Sequence, residues 1–180
     1  MPTPIGHALT GVSIAWAGEQ RGRLSSIGRA LQQPLTLVCI ALAVLPDADL
    51  LYPPIHRSVT HSIGATILVA IVTAAVTGWV TGRIGWRIVL LCAAAHASHL
   101  VSDWLGTDRN YAPFGIQMFW PFDDGWYTSG WDVFLPVERR ALFSAATIRM
   151  NLAAAARELA ILGPIAAAVW FTRRKSPRRP

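Results

Sequence analysis

The stretch IGATILVAIVTAAVTGWV, residues 63–80, decides the fold. It consists of aliphatic residues, Gly, Thr and one Trp, and a helix of this length rises about 27 Å, close to the hydrocarbon thickness of a bilayer. Such a run without a charge is typical of a transmembrane helix. Four further apolar segments lie outward from it along the chain, at residues 5–17, 35–51, 88–105 and 152–171.

The composition of the 180-residue chain agrees with a membrane protein. Hydrophobic residues make up 53% and charged residues 14%, whereas a soluble domain carries about 25% charged residues. This excludes a disordered chain, and we interpret Cys39 and Cys92, which lie in apolar runs, as packing residues. We predict an all-α fold, a polytopic membrane bundle of about four to five helices. It forms a single domain over residues 1–172, with a Trp-, Pro- and Gly-rich loop region at 106–136 and a basic, disordered tail at 173–180.

Basic residues are concentrated at one end of this predicted bundle. If all five segments cross the bilayer, residues 19–33, the turn 82–87 and the tail lie on one side and hold ten of the sixteen Lys and Arg residues. Trp16, Trp79, Trp86 and Trp170 fall at helix ends on the same side, as interfacial tryptophans do. Because cytoplasmic loops carry the excess of Lys and Arg, we expect a multi-pass inner-membrane protein with a cytoplasmic C-terminal tail.

Ionisable residues inside the apolar segments collect at the opposite, exoplasmic end. Such residues are costly in a bilayer and are candidates for function. Two acids close the second segment in the string LPDAD, and a histidine precedes the third in RSVTHS. The residues concerned are His7, Asp47, Asp49, His61, His96, His99 and Asp103.

The spacing in the fourth segment indicates a metal site. His99 and Asp103 are four residues apart and His96 is three before His99, so all three share one helical face. A single pair of this kind is also compatible with a simple hydrogen bond on a helix face. Histidine nitrogen and carboxylate oxygen atoms suit zinc, and also manganese or iron. We predict one or two divalent metals, zinc first, with the ligands His7, Asp47, His61, His99 and Asp103.

The neighbouring polar residues have several interpretations. Asp47 and Asp49 are two apart, so in extended or turn geometry they face the same way, and Asp49 is a candidate bridging ligand or general base. Arg57 is a candidate for binding a substrate phosphate or carboxylate, or else pairs with a headgroup or an aspartate. Thr60 is the expected N-cap of the third segment. His56 is expected to be exposed or behind a ligand, and His96 to pack between helices, support a ligand or bind a second metal.

These strings together resemble the YdjM-like family, described as inner-membrane-associated, metal-dependent hydrolases and also as LexA-binding. The resemblance covers residues 5–124, with a longer insert at 107–115. It implies an enzyme in which a metal-activated water attacks an ester or phosphoester of a lipid-like or amphiphilic substrate. The order of the ligands is also similar to that of zinc-dependent phospholipase C. The matching elements are His7, Leu45 to Asp49, Arg57 to Ser62, His99 to Asp103, Gly115, and Trp120-Pro121-Phe122.

Other function classes fit the sequence less well. A transporter would distribute polar groups through the membrane depth, whereas these cluster at one end. A nucleic-acid-binding protein would gather its basic residues in one patch with aromatics, so we expect the bilayer and no nucleic acid as a partner. A non-catalytic or regulatory membrane protein with a structural metal site is the main alternative to an enzyme. A soluble bundle with buried apolar helices is the alternative to the membrane fold.

Overall fold

The computed structural model describes residues 1–19, 26–52, 56–106 and 112–174, and these ranges form an all-α bundle. Two short 3-10 helices, Leu45–Leu51 and Val59–His61, lie between the third and fourth α-helices. The bridges Gly106–Phe134 and Ile116–Tyr127 are isolated, and the described residues include no strand. The α-helices in these ranges are α1 Pro4–Gly18, α2 Ile27–Leu31, α3 Pro34–Val44, α4 Ile63–Thr81, α5 Trp86–Leu105 and α6 Ala145–Arg173.

Within the described residues, four segments are long and apolar enough to cross a bilayer: Pro34–Leu51, Ile63–Thr81, Trp86–Leu105 and Ala145–Arg173. None of the residues of α4 is buried, and its aliphatic side chains lie on the outside of the bundle together with Trp79. A soluble protein rarely exposes an apolar surface of this size. The predicted membrane bundle is therefore confirmed, and the soluble alternative does not fit the exposed apolar surface.

The fifth predicted segment, α1, lies inside the bundle against α3, α5 and α6. Its 15 residues rise about 22 Å, less than the bilayer core. At its far end, Trp16 packs on Trp170, and the Arg87 side chain donates to the Gly18 carbonyl. Gly11 lets α1 approach α3 closely, since a Cβ atom there would lie 2.6 Å from the Cys39 carbonyl oxygen.

The start of α4 differs from the predicted one. Ser62 is the N-cap, and its hydroxyl accepts the Ala65 N–H at 3.1 Å. The prediction that Thr60 caps this helix is wrong, because Thr60 belongs to the preceding 3-10 helix and donates its hydroxyl to Asp49. The chain therefore makes one further turn before α4, and this turn carries His61.

The loop between α5 and α6 covers the end of the bundle where α4 begins. The carbonyls of Met118 and Trp120 accept the N–H groups of Ile63 and Gly64, the first residues of α4. This loop contains the predicted Trp-, Pro- and Gly-rich region, of which residues 107–111 lie outside the described ranges. Of the tail predicted at 173–180, Arg173 is the last residue of α6, and residues 175–180 lie outside the described ranges.

Candidate metal centre

Three imidazoles and two carboxylates from four elements of the fold converge at this end of the bundle. The Nε2 atoms of His7, His61 and His99 lie 3.3, 3.3 and 3.2 Å from the carboxylate of Asp103. The Asp47 carboxylate lies 3.9, 3.8 and 3.9 Å from the same three nitrogens. The structure thus brings together all five predicted ligands: His7 from α1, Asp47 and His61 from the two 3-10 helices, and His99 and Asp103 from α5.

The converging atoms are buried and lack hydrogen-bond partners among the described residues. The side chains of His7, His61, His99 and Asp103 are fully buried, while that of Asp47 is 14% exposed. The Nε2 atoms of the three histidines and both oxygens of Asp103 are without a hydrogen bond. Leaving such groups unsatisfied costs about 1–3 kcal/mol each. Bound divalent cations would satisfy these groups.

The spacing of these atoms fits metal ligands in two overlapping groups that share His99: His7, His99 and Asp103, and Asp47, His61 and His99. Two ligands about 2.1 Å from a zinc ion at a tetrahedral angle lie about 3.4 Å from each other. The separations of 3.2 and 3.3 Å between Asp103 and the three nitrogens match this distance. The rings are packed to allow it, since His7 stacks on His99 with centroids 3.8 Å apart and His61 meets His99 edge-on. The residues present therefore fit a divalent metal.

Two of the imidazoles are oriented by contacts to their other nitrogen. His99 Nδ1 donates to the Ala43 carbonyl at 2.8 Å, and His61 Nδ1 lies 3.2 Å from Asp49 Oδ2. A histidine that donates through Nδ1 presents the lone pair of Nε2, and metal-binding histidines are oriented in this way. Burial lowers the pKa of His61, but the carboxylates of Asp103, Asp47 and Asp49 outweigh burial and raise this pKa well above its usual value. A metal that binds His61 would therefore have to displace the proton on Nε2.

Asp49 lies behind His61 and outside the converging set. Its carboxylate accepts the Arg57 N–H at 3.0 Å and the Thr60 hydroxyl at 2.5 Å, and contacts His56 Nδ1 at 2.5 Å. The sequence led us to expect Asp47 and Asp49 on the same side. They differ because residues 45–51 form a 3-10 helix, in which side chains two residues apart point about 120° away from each other.

A comparison with known protein families identifies the family of the chain. The model of the YdjM inner membrane protein family matches residues 1–176. The chain belongs to the YdjM inner membrane protein family. The match covers the site and all six helices, more than the predicted resemblance over residues 5–124, and it supports a multi-pass membrane protein. Neither the curated proteins nor the solved structures gave a match to this YdjM family member.

Arg57 of this YdjM protein lies next to Asp49 and is buried. Its backbone joins the site to the loop after α5, because its N–H donates to Asp49 and its carbonyl accepts the Gln117 N–H at 3.0 Å. It adopts φ +66°, a left-handed conformation that is uncommon for a residue other than glycine. The catalytic role expected of the Arg57 side chain stays a prediction.

His96 and His56 lie outside the converging set. His96 is buried on α5, and its Nδ1 lies 2.9 Å from the Thr66 hydroxyl of α4, so it joins two helices. His56 contacts Asp49 through Nδ1, and its Nε2 accepts from Arg139 at 2.6 Å. Of the roles predicted for His96, the structure shows a contact between helices. His56 lies behind Asp49, not directly behind a ligand.

Sequence reasoning missed the roles of Arg139 and Glu158 in the YdjM fold. Arg139 contacts His56 from a loop position that no motif marks. Glu158 is fully buried on α6, where it accepts two hydrogen bonds from Thr3. The sequence does mark Glu158 as a functional candidate, because it is an acid within a bilayer-length apolar segment. What it contacts was not visible in the sequence, since Thr3 is 155 residues away.

Proposed function

We propose that this YdjM family protein is a membrane-embedded, metal-dependent hydrolase. It would cleave an ester or phosphoester of a lipid-like or amphiphilic substrate. The observation that carries the proposal is the convergence of buried imidazole and carboxylate atoms that lack other partners. The ligands would be His7, Asp47, His61, His99 and Asp103, and the ion zinc, with manganese or iron as alternatives.

The residues of this site would have separate roles in metal binding, substrate access and proton transfer. A bound divalent cation supplies Lewis acidity and lowers the pKa of a coordinated water. Asp103 and the three histidines, which are fully buried, would hold the ion from the protein interior. Asp47 is the most exposed of the five, so water and substrate would reach the site beside it. Its carboxylate is also placed to accept a proton from the attacking water.

Asp49 and Arg57 would act from behind and beside the ligands. Asp49 is nearly inaccessible and its oxygens contact four groups, which favours orienting His61 over serving as the general base. Arg57, buried next to Asp49, is our candidate for binding a phosphate or carboxylate of the substrate. The chain of contacts Arg139–His56–Asp49–His61 would hold the imidazole of His61 in place.

A substrate from the bilayer fits the surroundings of Asp47. The 3-10 helix that carries Asp47 exposes Leu45, Leu50 and Leu51, with Leu51 90% exposed. These side chains lie at the end of a bilayer-length segment. An amphiphile could therefore place its polar group at the site and its apolar chain along the leucines.

We place the site at the exoplasmic face of the inner membrane and the C-terminal tail in the cytoplasm. The site lies at one end of α1, whereas Arg87 and Arg173 contact the residues at its other end, Gly18 and Glu19. Basic residues at that end favour the cytoplasm by the positive-inside rule. Residues 1–172 would form one membrane domain on this proposal.

A second candidate function is a non-catalytic or regulatory membrane protein with a structural metal. The observation in its favour is that four of the five converging side chains are fully buried. Structural metal sites are closed, whereas catalytic sites keep an open position. Turnover separates the two candidates.

The test begins with metal analysis of protein purified in detergent. We expect a stoichiometric divalent metal in the wild type, its loss in His99→Ala and Asp103→Ala, and its retention in the matched control His96→Ala, which removes a buried histidine outside the set. A wild type that binds no metal would refute the proposal. The metal-loaded protein is then assayed with phosphoesters and phospholipids. Bound metal without hydrolysis would favour the structural candidate.

A further inference from the structure

His7 differs from the other two imidazoles in how it is held. His61 and His99 each have a partner at Nδ1, whereas Nδ1 of His7 has no hydrogen-bond partner among the described residues. Stacking on His99 fixes the plane of the ring but leaves its height along the bundle to the backbone. The position of His7 Nε2 therefore depends on where α1 begins.

The start of α1 is fixed by a carboxylate on α6. The Thr3 N–H donates to Glu158 Oε1 at 2.7 Å, and the Thr3 hydroxyl donates to Glu158 Oε2 at 2.5 Å. Thr3 is the N-cap of α1, and its carbonyl accepts the His7 N–H at 3.2 Å. One residue thus joins Glu158 to the first turn of α1, and that turn leads directly to His7.

The packing around Glu158 leaves little freedom for this turn to move. Glu158 is fully buried, and Gly6 lies so close that a Cβ atom there would be 2.6 Å from Glu158 Oε2. A carboxyl group in a bilayer-length helix is costly, and an apolar residue would pack there more cheaply. Its two oxygens are used on one residue of another helix. This geometry indicates that Glu158 fixes the position of Thr3 and does not only fill space between the helices.

We propose that Glu158 is a positioning residue for the metal centre: through Thr3 it sets the height of α1 and so places His7 Nε2 against Asp103. The inference rests on the proposed function, because His7 must be a ligand for its placement to matter. It adds α6, which contributes no ligand, to the elements that build the site. Loss of an outer contact of this kind typically weakens metal binding 10–100-fold.

The test compares variants that break the contact with variants that keep it. Glu158→Gln and Thr3→Val should each weaken zinc binding 10–100-fold in a competition titration with a chromophoric chelator in detergent. Thr3→Ser keeps the hydroxyl and should bind zinc within about twofold of the wild type. Leu162→Ala removes a buried side chain one turn along α6 and controls for a general loss of stability.

A structural role and a positioning role give different results in these variants. On our proposal, Leu162→Ala lowers the melting temperature of the metal-free protein as much as Glu158→Gln does, or more, yet keeps its zinc affinity. If zinc affinity falls in proportion to melting temperature across all variants, or if Glu158→Gln binds zinc like the wild type, the proposal is overturned.

Amide hydrogen exchange separates this inference from the proposed function. In the metal-free protein, Glu158→Gln should raise exchange at Gly6 and His7 and leave α4 unchanged. A wild type that binds no zinc would refute the metal centre. Amide exchange at Gly6 and His7 would then be the only test of the anchoring of α1. Unchanged exchange at Gly6 and His7 in Glu158→Gln would refute the anchoring even if zinc binds.

Discussion

At the scale of single residues, the orientation of a ligand imidazole depends on the group that contacts its Nδ1 atom. His99 is held by a backbone carbonyl and His61 by Asp49, so both present Nε2 to the same point. A backbone carbonyl cannot be removed by mutation, whereas Asp49 can. Asp49 is therefore the residue at which the orientation of a ligand can be tested with a single substitution.

We expect Asp49→Asn to weaken metal binding 10–100-fold, because the amide no longer provides a charged acceptor for His61 Nδ1. The variant is isosteric, so packing is preserved. A competition titration with zinc measures the effect, and Asp124→Asn, which changes an exposed acid in the loop, is the control. An unchanged zinc affinity together with lost hydrolysis would instead identify Asp49 as the general base.

At the scale of elements, the apolar segments could be predicted from the sequence and their connections could not. The segments 63–80 and 88–105 lie within α4 and α5, because long apolar runs have only one stable form in a bilayer. The 3-10 helix at 45–51 was not predicted, and it separates Asp47 from Asp49. Short turns depend on their tertiary partners, here the contact of Thr60 with Asp49.

The candidate ligands on α5 could be predicted because the spacing of residues along a helix is fixed. His99 and Asp103 share a face because helical spacing is fixed, and they do converge. The same spacing placed His96 with them, but its ring contacts Thr66 of α4 instead. Periodicity gives the face of a helix, and only the packing of neighbouring helices shows which residues on that face meet. The anchoring of α1 by Glu158 depends on such packing throughout.

The contact between α1 and α3 should tolerate no side chain at Gly11. We expect Gly11→Ala to destabilise the protein by about 1–3 kcal/mol, because its Cβ would overlap the backbone of α3. Thermal unfolding in detergent measures the change. Gly28→Ala is the matched control, since no atom lies within 4 Å of its Cβ position on α2. Equal melting temperatures for the two variants would contradict the close approach of α1 and α3.

At the scale of the whole molecule, a shared ion would tie the bundle together. The candidate ligands come from α1, α5 and both 3-10 helices, so bound metal would crosslink the N-terminal and central parts of the chain. Binding to the folded state alone stabilises a protein by about 2.7 kcal/mol at a ligand concentration of 100 Kd. Metal content should therefore control unfolding as well as activity.

We expect removal of metal with a chelator to lower the melting temperature of the wild type, and excess zinc to restore it. Asp103→Ala should melt at the same temperature with or without zinc, because it loses the acid that lies closest to all three histidines. His96→Ala is the control and should keep the shift. A wild type whose melting temperature does not respond to zinc would contradict a metal that bridges these elements.

The proposed orientation of the molecule can be tested from either side of the membrane. The loop after α5 contacts the site through Arg139 and His56, whereas the turn between α4 and α5 lies at the other end of both helices. In a variant with Cys39 and Cys92 replaced, an impermeant maleimide should label Asp124→Cys in spheroplasts and Arg83→Cys only in inverted vesicles, because the basic turn should be cytoplasmic. Both native positions are exposed, so access depends on the side of the membrane and not on burial. Labelling of Arg83→Cys in spheroplasts, with Asp124→Cys protected, would place the metal centre at the cytoplasmic face instead.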